Sequence, residues 1–505
     1  MNSLRMTAVI SFLLLIAACN PPGAAGLTTA PTRSTFNPIE VPWSDLSTHE
    51  NAWFDEAYLP AVELDRTTQY HMEITIADDF NTVEGRELIL YTNNETVPLD
   101  AIYLRLFPNI SGGDVQVHSV TITGDTIEPV YESQRSAVRL PLATPLPPGE
   151  SLEIGLEFEV SIPREMGGNY GLFGYFDGYL VLDTFYPMVP AYDEDGWQRQ
   201  ATPPNGDPTY NDASLYVVQV HAPAGVTLLA TGVEVDRREQ DGLQHVTFAS
   251  GLARDFYLAA APDLEVLERQ VDGTTVRSYA PAENREHAEL ALEVGVNALK
   301  SFETHFGPYP YPEMELIGTP MQALGIEYPG VMGIRLGLYD ENGSLDGIPT
   351  SIYMESTVAH EVAHQWFYNL VGNNQVEEPW LDEALAQYAT YLYYQDAYGP
   401  SAAAGLRASW DDRWDRTEQA DIPIGMPADE YQGAEYGSIV YGRGPIFIEA
   451  LSEAMGQESF ERFLLVYVKQ HAWGTASTES FMALAEAECA CELSTLFDEW
   501  VAPND

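Results

Sequence analysis

Four residues in the middle of the chain have the types and the spacing of a catalytic metal site. His360 and His364 are four residues apart, so on a helix both imidazoles lie on one face and can reach the same ion. Glu361 follows the first histidine, and Glu383 comes after eighteen further residues, enough to end one helix and begin another. A catalytic zinc needs three protein ligands and one open position. We therefore predict that His360, His364 and Glu383 bind one zinc ion.

The position of Glu361 predicts a general base. Zinc polarises a substrate carbonyl and lowers the pKa of bound water toward neutrality. Glu361 would take a proton from this water and return it to the leaving amine. The alternative interpretation is a pair of core histidines with satisfied hydrogen bonds. Two histidines at this spacing, with a glutamate between them and another downstream, favour zinc-dependent hydrolysis of a peptide bond instead.

Two helices are predicted to position these residues. The first covers Ser356–Val371, is apolar over a wide face and stops before Gly372. The second covers Trp380–Tyr398 and follows Pro379. The apolar positions of the first helix recur every four residues in two rows, Val358, Val362, Trp366 and Leu370, and Ala359, Ala363, Phe367 and Val371.

The residues before these helices alternate with the period of β-strands. Such runs, separated by Gly, Pro, Asn and Asp, indicate half-buried antiparallel strands. We predict a sandwich-like β domain over residues 63–265 and a mostly helical catalytic domain over 266–505, which opens with a helix at Glu283–Phe306. The alternating apolar residues include Tyr70, Met72, Ile74 and Ile76, then Ile102, Leu104 and Leu106, and finally Leu152, Ile154, Leu156, Phe158, Val160 and Ile162.

The motifs together resemble those of a known peptidase family. His-Glu-x-x-His, eighteen residues and then Glu is the signature of the gluzincins. Three further segments resemble the aminopeptidase N family, which includes the leukotriene hydrolases, and the similarity extends over roughly residues 63–505. These segments are Trp380-Leu381-Asp382-Glu383-Ala384, Gly325-Ile326-Glu327-Tyr328-Pro329 and Tyr441-Gly442-Arg443-Gly444.

The resemblance implies a fold and a set of roles. The catalytic domain would be a thermolysin-like α+β domain, and the enzyme would remove N-terminal residues from peptides. Glu327, in the motif that begins at Gly325, would bind the free α-amine of the substrate, and Tyr441 would donate to the oxyanion. The family's second amine-holding residue comes from the β domain, and residues 178–200 do not reveal which one it is.

The chain also departs from the family. Tyr328 stands where the family has Asn, and Arg443 stands where it has Lys. Larger relatives have a long helical C-terminal domain that encloses the active site, whereas this chain ends soon after Trp500, so a more open cleft is expected. That expectation leaves a zinc endopeptidase as an alternative. An inactive surface binding protein on a peptidase scaffold is a second one, although the intact Glu361 and Tyr441 disfavour it.

The first residues predict export and lipidation. A charged start, Met1–Arg5, precedes a short apolar run that ends in Ile16 and the small residues Ala17 and Ala18 before Cys19. This arrangement resembles the lipobox of bacterial lipoproteins, which implies removal of residues 1–18 and a lipid on Cys19 that anchors the protein to the membrane at the cell surface. An ordinary secretory signal is the alternative. Residues 19–62, rich in Pro, Thr, Ser, Ala and Gly, are predicted to be a flexible tether.

Composition limits the remaining possibilities. A chain of 505 residues with 45% hydrophobic residues is long enough for two or three domains. Its formal net charge of −53 disfavours binding to nucleic acid or anionic lipid, and indicates either a strongly solvated surface or attraction of cationic peptides. Cys489 and Cys491 could form a disulfide or stay reduced, and the sequence assigns them no role.

Overall fold

The computed structural model describes residues 36–53, 58, 63–167, 170–199, 205–207 and 209–502. The predicted signal peptide over residues 1–18 and the predicted lipidation site Cys19 lie outside this range. Among the described residues, no helix is long and apolar enough to cross a lipid bilayer.

The N-terminal region is built from strands, as its alternating apolar residues predict. Within the described residues the strands are β1 (Gln69–Ile76), β2 (Thr82–Thr92), β3 (Leu99–Arg105), β4 (Asp114–Ile122), β5 (Asp125–Thr126), β6 (Val130–Glu132), β7 (Ala137–Leu146), β8 (Ser151–Ser161), β9 (Phe173–Phe176), β10 (Tyr179–Leu182), β11 (Tyr192–Asp193), β12 (Gly196–Trp197), β13 (Leu215–Pro223), β14 (Thr227–Ala230), β15 (Val233–Gln240), β16 (Leu243–Ala249) and β17 (Leu258–Ala261).

These strands form sheets that share one core. The largest sheet has the order β15-β16-β13-β1-β2-β8-β4-β5, in which only the β1–β13 pair is parallel among the described strands. Its apolar side packs with a four-stranded sheet, β14-β17-β10-β9, and a three-stranded sheet, β3-β7-β6. Met72, Ile74 and Ile154 are fully buried in this core. The predicted sandwich-like β domain is thus confirmed, with one parallel pair that the alternating pattern does not reveal.

The C-terminal region combines one further main sheet with helices. Its strands are β18 (Leu264–Val271), β19 (Thr274–Pro281), β20 (Glu313–Thr319), β21 (Gly325–Tyr328), β22 (Val331–Arg335), β23 (Ser344–Leu345) and β24 (Ile348–Pro349). Its α-helices are α1 (Arg285–Phe306), α2 (Thr350–Ala363), α3 (Trp380–Tyr398), α4 (Pro400–Trp414), α5 (Glu435–Ser438), α6 (Gly444–Met455), α7 (Gln457–His471), α8 (Thr478–Cys489) and α9 (Ser494–Trp500), and a π-helical turn, Ile439–Arg443, joins α5 to α6.

The second core lies between this sheet and the helices. The sheet has the order β18-β19-β20-β22-β21, so β21 is an edge strand. Helices α1, α2 and α3 pack on one another over an apolar cluster that includes Leu299, Val358 and Leu385. The predicted helix at Glu283–Phe306 begins two residues later than expected, and α3 has the predicted bounds. Cys489 and Cys491 are joined by a disulfide.

Helix α2 lies earlier in the chain than predicted, at Thr350–Ala363 instead of Ser356–Val371. The period-four pattern extends to Val371, but the helix ends at Ala363 and the chain continues in wide turns. In these turns the Asn369 amide donates to the carbonyl of His364 at 3.1 Å, and Tyr368 has a φ of 127°. The apolar repeat continues beyond the helix because the turns are buried on all sides, so burial rather than helical geometry maintains the pattern.

Part of the predicted tether packs against the β domain. Residues 36–53 contain two short 3-10 turns, Pro38–Glu40 and Ser47–His49. His49 is buried, and its Nδ1 lies 2.7 Å from the carbonyl of Ser250. The prediction of a flexible tether is therefore wrong for this stretch, because its aromatic and apolar residues find partners that composition alone does not reveal.

Candidate metal centre and active site

The two histidines and Glu383 converge where α2 and α3 meet. His360 lies in the last turn of α2, His364 caps that helix, and Glu383 is in the first turn of α3. The Nε2 atoms of the two histidines are 3.2 Å apart, and Oε2 of Glu383 lies 3.1 Å from the first and 3.5 Å from the second. All three side chains are buried. The predicted ligands therefore present two nitrogens and one oxygen to a single point, the donor set of a zinc site.

The early end of α2 fixes the orientation of His364. Its Nδ1 lies 2.9 Å from the carbonyl of Phe367, which can only accept a hydrogen bond. The imidazole therefore carries a proton on Nδ1, and Nε2 is the nitrogen that can bind a metal once its own proton is released. If the helix continued to Val371, the carbonyl of Phe367 would instead accept a hydrogen bond from the amide of Val371. The amide of Val371 donates to Trp366 at 2.9 Å.

A polar chain from α3 and α4 supports His360. The amide of Gln387 lies 3.3 Å from Nδ1 of this histidine and accepts from Nη1 of Arg413 at 2.9 Å. The same guanidinium nitrogen donates to the carbonyl of Tyr441 at 3.1 Å. Arg413 thus connects the metal ligand to the predicted oxyanion donor. The sequence analysis did not identify Gln387 or Arg413, since neither belongs to a short motif.

Hydrogen bonds and charges among the three predicted ligands shift their pKa values. Burial raises the pKa of Glu383, but hydrogen bonds from both histidines outweigh burial and leave this pKa below its ordinary value. Burial lowers the pKa of His360. In His364 burial also lowers the pKa, but the hydrogen bond and charge of Glu383 outweigh it and raise the pKa to about 10. The charge of His364 and the hydrogen bonds from both histidines thus keep the Glu383 carboxylate ionised, and a metal cation can replace the protons that hold this arrangement.

Glu361 lies between the metal ligands and strand β21. It is buried, and burial together with the charge of Glu327 raises its pKa well above the ordinary value. Gly325 leaves room for it, because a Cβ on this glycine would come within 2.6 Å of the Glu361 carboxyl carbon. Glu327, Glu361 and His364 also lie close enough for their ligand atoms to converge. The predicted base therefore adjoins both the metal ligands and the predicted amine-binding residue.

Tyr441 comes to the site from the π-helical turn. Its hydroxyl donates to Oε1 of Glu383, and its ring centroid lies 5.9 Å from that of His360. Burial and the charge of Glu383 raise the pKa of Tyr441 well above its ordinary value. The phenol therefore keeps its proton and can act as a hydrogen-bond donor, as the predicted role requires.

Glu327 lies on the edge strand β21, facing the histidines. Its Oε1 is 3.9 Å from Nδ1 of His364, and only 6% of the residue is exposed. Burial, followed by the charge of Asp207, raises its pKa well above the ordinary value. A buried carboxylate next to the ligands can pair with an ammonium group at a fixed distance from the metal.

The β domain contributes acids that the sequence analysis did not identify. Asp183, Asp207 and Asp255 line a pocket together with Glu327. Asp183 lies within the range 178–200 in which a β-domain residue was sought, whereas the other two lie outside it. They come from three separate connections, and no spacing in the sequence relates them to Glu327. Only their proximity in the fold identifies them.

Known proteins are similar to this chain in sequence and in fold. Residues 290–500, from α1 to α9, match the peptidase family M1 domain. This segment is an M1 peptidase domain. The chain is 30% identical over 243 residues to Aminopeptidase M1-B of Oryza sativa subsp. japonica, covering 46% of this chain and 27% of the rice protein. It is 27% identical over 448 residues to Aminopeptidase 2, mitochondrial, of Saccharomyces cerevisiae, and the match covers 84% of this chain and 45% of the yeast protein.

A solved structure has the same fold over most of the chain. A mutant M1 zinc metallopeptidase from Deinococcus radiodurans superposes with a TM-score of 0.65 at 20% identity, covering 87% of this chain and 96% of that one. The chain therefore shares the whole architecture of that protein, while it spans less than half the length of the rice and yeast relatives.

Proposed function

We propose that the M1 domain is a zinc aminopeptidase that hydrolyses N-terminal residues from peptides. The observation that carries the proposal is the convergence of His360, His364 and Glu383 at one point, with Glu361 and Glu327 beside it. Two related enzymes are named aminopeptidases, and the Deinococcus enzyme has been solved with a Tyr-Ser-Ala substrate. These likenesses support a peptide substrate for this chain.

The donor set fits one zinc ion. Two neutral imidazoles and one carboxylate are the ligands of many catalytic zinc sites, and they leave a position open. The Nδ1 contact of His364 with a carbonyl is the outer contact expected of a zinc-binding histidine. When bound there, zinc would supply a Lewis acid that polarises the scissile carbonyl and acidifies water.

Glu361 carries the proton in the proposed reaction. Its carboxylate accepts a proton from the attacking water and later gives it to the amine that leaves. Burial suits both steps, because a raised pKa makes the carboxylate a stronger base and brings its acid form within reach near neutral pH.

Tyr441 and Glu327 orient the substrate and the developing charge. The Tyr441 hydroxyl turns from Glu383 toward the carbonyl oxygen as negative charge develops there, which stabilises the transition state more than the ground state. Glu327 pairs with the α-ammonium of the first residue. Because the pairing carboxylate is buried, a chain that continues past this point leaves it unpaired, and the site selects chain ends.

Aminoacyl reporter substrates assayed with and without a chelator test the proposal. We expect release of the reporter that stops on chelation and returns with zinc. Glu361→Gln should lower kcat by about a thousandfold and still bind one zinc equivalent, because it removes the base but no ligand. Glu355→Gln is the matched control on α2, where the residue lies at the helix surface against Tyr393. Activity of Glu361→Gln comparable to that of the control would contradict the proposal.

We further propose export and lipid anchoring through Cys19. The sequence of a charged start, an apolar run and small residues before Cys19 supports this. Mass spectrometry of the mature N-terminal peptide is the test. Diacylated Cys19 at the new N-terminus is expected, and an unmodified or uncleaved Cys19 would contradict the proposal.

A further inference from the structure

A pocket rich in aspartate adjoins the proposed amine-binding residue. We call Asp183, Asp207 and Asp255 the aspartate pocket. They line a small pocket, partly open to solvent, together with Glu327, Tyr328 and Tyr368. The α-amine and the side chain of a peptide's first residue branch from the same carbon atom. A pocket that contains Glu327 in its wall is therefore within reach of that side chain when Glu327 binds the amine.

Among the described residues, the charge of Arg254 acts on Asp255 and that of His364 acts on Asp207, but no ion pair neutralises the three carboxylates. No ion pair joins Asp183, Asp207 or Asp255 to a Lys or Arg in that part of the chain. Arg254 is adjacent in sequence to Asp255, but it donates its N–H groups to carbonyl oxygens. The acceptors are the carbonyls of Tyr368, Asn369, Asn211 and Gly474.

The aspartates also act on one another. Burial and the charges of Asp255 and Asp207 raise the pKa of Asp183 well above its ordinary value. Burial raises the pKa of Asp207 and of Asp255 to about 7. Carboxylates in this state gain most from a positive charge placed between them, because it removes their mutual repulsion and compensates their loss of water.

Two buried polar atoms of this pocket have no hydrogen-bond partner among the described residues. They are Oδ1 of Asp255 and the hydroxyl of Tyr328, in residues that are 2% and 3% exposed. Burying such atoms unpaired costs free energy, so they mark a place where a ligand supplies the missing contacts. An N–H donor would satisfy either of them.

Tyr368 holds Asp255 in place. Its hydroxyl donates to Oδ2 of Asp255, which leaves Oδ1 as the free acceptor. Tyr368 does this at a φ of 127°, where a bulky residue is strained. Strain of this kind persists where the surroundings impose it, and such places are often functional sites.

A metal ion is a poorer occupant than an organic cation. Among the described residues, two groups of side chains have ligand atoms close enough to share an ion, and neither includes a member of the aspartate pocket. Its carboxylates are therefore spread too widely for one small ion, and a long side chain with several N–H donors fits the spacing better.

We propose that the aspartate pocket binds the cationic side chain of an N-terminal lysine or arginine. The inference rests on the proposed aminopeptidase function and adds a substrate class to it. The α-ammonium of a substrate balances the charge of Glu327. The second positive charge of lysine or arginine balances the pocket, and its N–H groups reach Oδ1 of Asp255.

The test compares charged and neutral side chains of similar shape. Reporter amides of lysine and norleucine form one pair, and those of arginine and citrulline form another. For the zinc-loaded wild type we expect kcat/KM to be on the order of thirtyfold higher for the charged member of each pair. Asp255→Asn, which keeps an oxygen for Tyr368, should reduce that ratio to near one. Asp183→Asn is the second variant and should reduce it as well.

Asp100→Asn is the matched control, since it removes one negative charge at an exposed position on β3. It should keep the wild-type ratio. A wild-type ratio near one, or equal losses on both substrates in the Asp255 and Asp183 variants, would overturn the inference while leaving the aminopeptidase proposal intact. A second metal equivalent that disappears in Asp255→Asn would overturn it also. If no aminoacyl reporter is cleaved at all, the proposed function itself fails.

Discussion

The orientation of His364 depends on a carbonyl that becomes available only because α2 ends early. Its Nδ1 contacts the carbonyl of Phe367 at 2.9 Å, beyond the last helical residue, Ala363. A helix that continued would have occupied this carbonyl. One side chain is therefore set in its metal-binding form by the way the backbone leaves the helix.

Tyr441→Phe tests the role of the phenol. We expect kcat to fall by about a hundredfold to a thousandfold with little change in KM, because the donor acts on charge that develops in the transition state. The zinc content should not change, since Tyr441 contacts the ligand Glu383 without belonging to the donor set.

Tyr391→Phe, on α3, is the control for this variant because its ring packs against Tyr388 and Trp410. The control should retain wild-type kcat. A Tyr441 variant with kcat within about threefold of the control would show that the hydroxyl does not stabilise the oxyanion.

Residue spacing predicts the metal ligands but not the residues around them. His360, His364 and Glu383 are predictable because helical geometry turns sequence distance into spatial distance. The aspartate pocket is not predictable in this way, because three separate connections of the β domain supply its members. Arg413 cannot be predicted from spacing either, since it acts on His360 through the side chain of Gln387.

Strand β21 and helix α2 approach so closely that one position must be glycine. Gly325→Ala places a Cβ within 2.6 Å of the Glu361 carboxyl carbon. We expect Glu361 to shift and kcat/KM to fall by about a hundredfold, because a displacement of this size misaligns the base. Zinc binding should persist, since no ligand is touched.

Gly337→Ala is the control for this substitution. A Cβ there meets no atom closer than 3.7 Å, so the variant should resemble the wild type in steady-state kinetics. If Gly325→Ala also kept full activity, the packing of β21 against Glu361 would not matter for catalysis.

Glu87 is an unpaired carboxyl in the middle of the large β sheet. It lies on β2 and is fully buried, and neither of its side-chain oxygens has a partner in the part of the chain that the structure describes. Burial raises its pKa well above the ordinary value. The folded protein therefore keeps this proton at pH values where the unfolded chain has lost it, and the free energy of unfolding falls as the pH rises from the unfolded pKa toward the folded one.

Glu87→Gln should remove this pH-dependent fall in the free energy of unfolding. Thermal unfolding should show a Tm about 2–4 °C above wild type at about pH 8 and a smaller difference at about pH 5. Glu84→Gln, at an exposed position of the same strand, should show no such change with pH. A constant difference between Glu87→Gln and wild type at both pH values would contradict the assigned burial cost.

For single helices and strands, the sequence predicts which kind of element forms better than it predicts where the element begins and ends. The bounds of α3 are predictable because Pro379 and Gly399 limit it. The end of α2 is not, because burial on all sides preserves the apolar pattern after the helix has stopped. The parallel pairing of β1 with β13 is equally hidden, since strand alternation is the same in either direction.

At the scale of the molecule, the residues of the proposed active site come from two parts of the fold, each with its own hydrophobic core. The catalytic core carries the metal ligands, and the β domain supplies the acids that face Glu327. The formal net charge of −53 acts in the same sense as the aspartate pocket, because both favour approach of a cationic peptide. Attraction of cationic peptides is one of two interpretations of this charge, and the aspartate pocket is the place where such a peptide would bind in the proposed function.

The central claim is zinc-dependent cleavage at a free amino terminus. It is tested most directly by incubating the zinc-loaded protein with one peptide in its free and its N-acetylated form, and following the products by mass spectrometry with and without chelator. We expect the free peptide to lose its first residue only when zinc is present, and the acetylated peptide to stay intact, because Glu327 finds no ammonium to pair with. Equal cleavage of both peptides, or cleavage that chelation does not change, would contradict the claim.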